Sequence, residues 1–110
     1  MVILVRVENR NIFVGECKFW DGPKKFNAAI DQLLGYLTWR DRRCALLIFS
    51  RNKDTTSIAQ KMHEVMTARP EYRETVANDL EGRSRYHFAK PDDPDGPILI
   101  TTLLFDIPIN

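Results

Sequence analysis

The chain has 110 residues, 44% of them hydrophobic, which is enough for one domain with a small core. Its net charge of +1 excludes a strongly basic or strongly acidic protein. No apolar run could span a membrane and there is no signal peptide, so we expect a cytoplasmic protein without a membrane partner. Residues 18–53 nevertheless hold eight basic and three acidic side chains, a net of +5, which suits an anionic partner or a solvated surface.

The predicted elements begin with two strand-like runs, VILVRVE and NIFVGECKF, joined by the polar ENRN, which predicts a hairpin. DGP ends the second strand, and apolar residues three and four apart predict a helix from 24 to about 41. CALLIFS, residues 44–50, is a continuous apolar run, typical of a strand covered on both faces. Strand, helix and strand in this order predict a right-handed βαβ crossover.

The second half of the chain predicts one more helix, from about Thr56 to Ala68, with an N-cap in DTTS. Residues 71–82 are predicted as a short helix ended by Gly82. RYHFAK and PILITTLLFDI are predicted strands on either side of a PDDPDG turn. Together the elements predict a single α/β domain over residues 1–110, with a mixed sheet flanked by at least two helices.

The two cysteines, Cys17 and Cys44, lie in apolar strand-like runs. Without export signals, they are expected to be reduced and to face inward. No spacing of Cys and His predicts a zinc site.

Four polar residues fall at positions that bring side chains together. Glu16 and Lys18 are two apart on a strand and therefore share one face of it. Gln32 and Tyr36 are four apart on the following helix and are neighbours on its surface. The alternative is structural: Glu16 and Lys18 would form a solvent-exposed ion pair at the edge of the sheet, and Tyr36 would be a half-buried aromatic residue beside a solvated Gln32.

A hairpin with acid-x-Lys on its second strand, followed by a helix with Q-x-x-x-Y, resembles the PD-(D/E)xK nuclease superfamily, also called restriction-endonuclease-like. "GECK" matches the first motif and "QLLGY" matches the second, as in the RecB-type branch. The chain is also similar to an uncharacterised bacterial domain of that superfamily, over roughly residues 3–50. The resemblance implies a restriction-endonuclease-like sheet and a DNA nuclease that uses Mg²⁺ or Mn²⁺.

The resemblance implies catalytic roles for Glu16, Lys18, Gln32 and Tyr36, with Glu16 and the backbone carbonyl of Cys17 as metal ligands. Mg²⁺ prefers a few carboxylate oxygens, and it activates water and offsets charge on a phosphate. A lysine beside it can hold the scissile phosphate as a point charge. Trp20 and Trp39 are candidate stacking residues, although closing a small core is the more common role for such aromatic residues. The candidate phosphate contacts are Lys24, Lys25, Arg40, Arg42 and Arg43.

The chain departs from the family at its first acid. The family places an Asp before the ILVRV-like run, where this chain has Val2, and Glu8 lies at the wrong end of the strand. Asp31 and Glu64 are the available replacement acids. The upstream helix and strand of the family are also missing, so we expect either a truncated nuclease or a degenerate relative.

With one carboxylate instead of two, the metal is expected to bind weakly and cleavage to be slow or absent. The sequence therefore predicts a weak or inactive DNA nuclease domain. The alternative is a non-catalytic module that binds nucleic acid or assembles with protein, and a homodimer is left open.

Overall fold

The computed structural model of the chain describes residues 2–7, 10–37, 41–51, 54–79, 82–90 and 93–107. These residues form six strands and two helices. In chain order they are β1 (Val2–Val7), β2 (Arg10–Phe19), α1 (Gly22–Tyr36), β3 (Arg43–Ser50), α2 (Thr55–Ala68), β4 (Tyr72–Asp79), β5 (Arg83–Lys90) and β6 (Asp93–Asp106).

The strands form one mixed sheet in the order β1-β2-β3-β6-β5-β4. β1 and β2 are an antiparallel hairpin, and β2, β3 and β6 run parallel to one another. β5 and β4 complete the sheet as antiparallel strands. The predicted α/β class is therefore confirmed, and so are the hairpin and the β2-α1-β3 connection between adjacent parallel strands.

The core lies on one face of this sheet. Alternate strand residues point to that face, and both helices pack on it through their apolar stripes. The strands contribute Val14, Cys44, Leu46, Ile48, Tyr86, Phe88, Ile98 and Ile100, and the helices contribute Phe26, Ala29, Ile30, Leu33, Leu34, Ile58, Met62 and Met66.

The two helices begin and end for local reasons. α1 has Pro in its first turn and ends at Tyr36, earlier than the predicted residue 41, because Leu37 is already extended. Gly35, the residue before the end, is a weak helix former. α2 agrees with its prediction, since the carboxylate of Asp54 accepts a hydrogen bond of 3.1 Å from the backbone N–H of Ser57.

Two predictions in the second half are wrong. Residues 72–79 form the edge strand β4, not a helix, because β5 offers them a backbone ladder. Gly82 lies in the β4–β5 turn at φ +111° and does not end a helix. β6 begins at Asp93, within the predicted PDDPDG turn, and its ladder with β5 extends to that residue.

The second face of the sheet differs from the prediction for CALLIFS. Ala45, Leu47 and Phe49 of β3 point away from the helices. No helix of the described residues lies on that side; Ala45 is buried there, but Leu47 and Phe49 are only partly buried. The continuous apolar run in β3 therefore reflects a core on one face and an open apolar surface on the other.

The cysteines fall on different faces of the sheet. Cys44 is buried in the core, whereas Cys17 is half-buried on the open face, so the inward placement predicted for Cys17 is wrong. Because they point to opposite sides, the two sulfurs do not form a disulfide. Within the described part of the chain, neither helix is long and apolar enough to cross a membrane.

Candidate functional site

Glu16 and Lys18 lie on the helix-covered face near the carboxyl end of β2. Their partners across β3 are the buried Leu46 and Ile48, which fixes their direction. Glu16 is 2% exposed and Lys18 is 41% exposed, and Lys18 Nζ lies 3.5 Å from Glu16 Oε1. The pair therefore joins a buried carboxylate to an ammonium group that reaches solvent.

Lys18 opens into a cleft between the end of β2 and the first turns of α1. The cleft has a volume of about 430 Å³. Its polar side chains are Lys18, Asp21, Lys25 and Gln32, and its walls are Phe19, Trp20, Phe26, Ala28, Ala29 and Ile48. Strand and helix thus bring two ammonium groups, one carboxylate and one amide to a single concave surface.

The side of α1 that faces the cleft follows from helical spacing. Lys25, Ala28 and Gln32 are three and four residues apart and line the cleft. Tyr36 is one turn beyond Gln32, but it is 48% exposed and is not among the residues lining the cleft. Of the four predicted catalytic residues, Lys18 and Gln32 line the cleft. Glu16 contacts Lys18 without lining the cleft, and Tyr36 is outside it.

Trp20 is one of the two tryptophans considered for stacking. Its ring lies 5.9 Å from that of Phe26 at 47°, and it is partly buried against the core. This packing makes Trp20 a wall of the cleft. Trp39 and the candidate contact Arg40 lie outside the described residues, as does Glu8.

The other predicted phosphate contacts are dispersed. Lys25 lines the cleft, whereas Lys24 lines a separate cavity between α1 and α2. Arg42 precedes β3, and its carbonyl accepts a hydrogen bond from the N–H of Leu99. Arg43 begins β3, five residues before Ile48 and so roughly 16 Å from the cleft wall. Arg42 and Arg43 are therefore not part of this cleft, and their role as phosphate contacts stays a prediction.

The two replacement acids are also placed elsewhere. Asp31 binds Arg69 with 2.7 Å between Oδ1 and an arginine nitrogen, on the side of α1 that faces α2. Glu64 is exposed on α2, where it accepts a hydrogen bond from Gln60. Neither supplies a carboxylate beside Glu16.

Position 2 is directly opposite Glu16 in the antiparallel β1–β2 ladder. This is the position at which the resemblance expects an acid, and here it is valine. Among the described residues, no group of three or more His, Cys, Asp or Glu side chains could hold a metal ion. Among the described residues around this position, Glu16, which contacts Lys18, and Asp21 of the cleft are the carboxylates, which is a sparse ligand set for Mg²⁺.

Sequence reasoning missed the inclusion of Asp21 in the cleft. Its neighbour Gly22, at φ +89°, turns the chain from β2 into α1, whereas the DGP sequence by itself predicts only the end of a strand. A polar residue at such a turn, directly after a strand with an acid-x-Lys pair, was the available signal.

The fold and the cleft define an α/β protein in which one mixed sheet carries both described helices on a single face. No protein-family model, curated protein or solved structure gives a significant match to this chain.

Proposed function

We propose that this chain is a degenerate nuclease-type domain that binds the phosphodiester backbone of DNA and cleaves it slowly or not at all. One observation carries the proposal: Lys18 and Gln32, selected by two separate motifs, line the same cleft together with Lys25. Two ammonium groups on a concave surface attract a phosphate, and an amide adds a directional hydrogen bond.

The chemistry of the cleft favours binding over cleavage. Glu16 holds the Lys18 ammonium group on the strand, and Lys18 can present its remaining N–H donors to a phosphate oxygen. Lys25 supplies a second charge from α1, and Gln32 can donate through its amide nitrogen. A bound divalent ion would supply Lewis-acid activation of water, but its carboxylate ligands here would be Glu16, which Lys18 engages, and Asp21 at the turn into α1, a sparse set for it.

The first experiment measures binding of a short DNA duplex by fluorescence anisotropy across a range of salt concentrations. We expect Lys25→Glu and Lys18→Ala each to weaken binding and to reduce the slope of log affinity against log salt by about 1. The matched control is Lys61→Glu, an exposed lysine on α2, which should leave both quantities unchanged. Equal effects of Lys25→Glu and Lys61→Glu, which change the net charge by the same amount, would show that only net charge matters and would contradict a phosphate site in the cleft.

The second experiment tests the nuclease origin through the position opposite Glu16. Val2→Asp places a second carboxylate across the ladder from Glu16, where the two Cβ atoms of such a pair are about 5 Å apart. We expect this variant to gain Mg²⁺-dependent plasmid cleavage and a Mg²⁺-dependent rise in Tm. Val2→Asn, similar in size but uncharged, should gain neither.

Adding Glu16→Ala or Lys18→Ala to Val2→Asp should remove the cleavage. If Val2→Asp folds but shows neither cleavage nor a Mg²⁺-dependent Tm, the nuclease origin is contradicted. If Lys18→Ala and Lys25→Glu also leave DNA binding unchanged, the alternative of a protein-assembly module replaces the proposed function.

A further inference from the structure

Three phenylalanines form a continuous row across the open face of the sheet. Phe19, Phe49 and Phe105 lie near the carboxyl ends of the parallel strands β2, β3 and β6 and are paired in register. The ring centroids of Phe19 and Phe49 are 6.1 Å apart, and those of Phe49 and Phe105 are 5.3 Å apart with nearly parallel planes. Pairing of three strand ends has therefore assembled an aromatic surface from residues distant in sequence.

The two outer rings of this row are exposed to solvent. Phe19 is 56% exposed and Phe105 is 40% exposed, whereas Phe49 between them is partly buried. A cavity of about 320 Å³ lies beside the Phe19 and Phe49 rings, with Cys17, Lys18 and Ile107 as its other walls. Large exposed aromatic rings are costly to hydrate, so a row of them marks an interaction surface.

The same face carries a set of exposed arginines. Arg51 places its guanidinium carbon 4.7 Å above the centre of the Phe19 ring. Arg83 and Arg85 on β5 pair with Leu103 and Thr101 and so point to this face. At the opposite end of the face lies Arg43.

Negative charge on this face is small by comparison. Two acidic residues of β4 occupy positions on it: Glu74, which lies 2.6 Å from the ring nitrogen of His87, and Asp79, which pairs with Arg83 in the β4–β5 ladder, against the four arginines. The aromatic row therefore stands in a positive surface that fits an anionic partner.

We propose that the Phe19–Phe49–Phe105 row and its arginines form a stacking surface for single-stranded nucleic acid. Phe19 and Phe105 each stack an unpaired base, and the arginines contact the phosphates that follow. Bases within a duplex present no free face to these rings, so a single strand is the form that fits.

This inference goes beyond the proposed function, because it concerns the sheet face opposite Glu16 and Gln32 and a different form of the polymer. A second copy of the chain is a poorer occupant. In a symmetric dimer the same patch packs against itself, so two arginine-rich surfaces would be brought together.

The test measures binding of labelled oligo-dT at low salt by fluorescence anisotropy. We expect Phe19→Ala and Phe105→Ala each to weaken binding about tenfold. Phe105→Trp should retain affinity, and its added tryptophan fluorescence should be quenched by oligo-dT. Arg83→Glu should weaken binding and flatten its salt dependence.

The controls separate this surface from general effects and from the cleft. Val76→Ala removes an exposed apolar side chain on β4, and Lys61→Glu reverses a charge on α2, so neither should change oligo-dT affinity. All variants are checked by circular dichroism and thermal unfolding, and exposed Phe19 and Phe105 should tolerate alanine.

Three results would overturn the proposal. The first is unchanged oligo-dT affinity in folded Phe19→Ala and Phe105→Ala. The second is loss of oligo-dT binding through Lys25→Glu alone, which would locate all binding in the cleft and leave the proposed function standing. The third is a concentration-dependent dimer that Phe105→Ala dissociates while wild type binds no oligo-dT, which would assign the face to a second copy. Phe19 also lines the cleft, so Phe105, which does not, separates the two sites. Loss of oligo-dT binding through Phe105→Ala but not through Lys25→Glu supports this surface and leaves the proposed function to its duplex assay.

Discussion

Glu16 and Cys17 are adjacent in the chain, yet they belong to different surfaces. Because successive side chains of a strand point to opposite faces, Glu16 lies on the face that the helices cover and Cys17 lies on the open face. One residue step in β2 therefore separates the buried ion pair from the apolar surface that carries Phe19.

The cysteines allow a direct test of this alternation. Cys17 is half-buried on the open face, whereas Cys44 is 2% exposed in the core, so a thiol reagent should reach the former first. We expect one thiol to react in the native protein and the second only after unfolding, as measured by titration with a chromogenic disulfide. Cys17→Ser should abolish the native reaction, and Cys44→Ser should not. Equal reactivity of both thiols would contradict the two-face arrangement.

At the scale of elements, two glycines illustrate opposite conformational requirements. Gly82 has φ +111°, and a Cβ added there would lie 2.9 Å from the carbonyl oxygen of Leu104 and 3.3 Å from its Cβ. Its own carbonyl accepts a hydrogen bond from the N–H of Leu104, so the turn is held against β6. Gly35 lies in the last turn of α1 with nothing within 4 Å of an added Cβ.

We expect Gly82→Ala to lower the free energy of unfolding by about 1–3 kcal/mol, because the added methyl meets backbone at a positive φ. Gly35→Ala should raise it by about 0.5–1 kcal/mol, because alanine loses less backbone entropy in a helix. Urea denaturation followed by circular dichroism measures both changes. A neutral Gly82→Ala would mean that the β4–β5 turn is not held against β6.

At the scale of the whole molecule, Arg69 joins the end of α2 to α1. Its guanidinium donates to Glu71 Oε2 and to Asp31 Oδ1, both at 2.7 Å, and to Asn27 Oδ1 at 2.9 Å. Burial acts to lower the pKa of Arg69, but its hydrogen bonds to Glu71 and Asp31 outweigh it and the net pKa is raised. For Glu71, burial acts to raise the pKa, but the hydrogen bond and charge of Arg69 leave it lowered.

This cluster predicts part of the pH dependence of stability. Because the pKa of folded Glu71 lies below its ordinary value of 4.5, its contribution is present above that pH and is lost as pH falls through the lowered value. We expect Glu71→Gln to cost about 1–3 kcal/mol at pH 7 and less at pH 3. Urea denaturation of both proteins from pH 7 to pH 3 measures the difference. A cost that does not change with pH would contradict the ion pair.

Local periodicity determined much of this fold. A period of two put Glu16 and Lys18 on one face of β2, and spacings of three and four gave the buried stripes of both helices. These features follow from backbone geometry within a few residues, so the sequence alone was sufficient for them. The candidate roles of Lys18 and Gln32 follow from the resemblance to the nuclease superfamily and not from periodicity.

Only the tertiary structure decided which strands are neighbours and which surfaces are covered. Residues 72–79 became a strand because β5 paired with them, and Phe19, Phe49 and Phe105 met because β3 lies between β2 and β6. Strand pairing also places Arg43 at the end of the sheet far from the cleft and places position 2 opposite Glu16. Strand pairing joins segments distant in sequence and its energy depends on the partner, so propensity within one segment does not encode it.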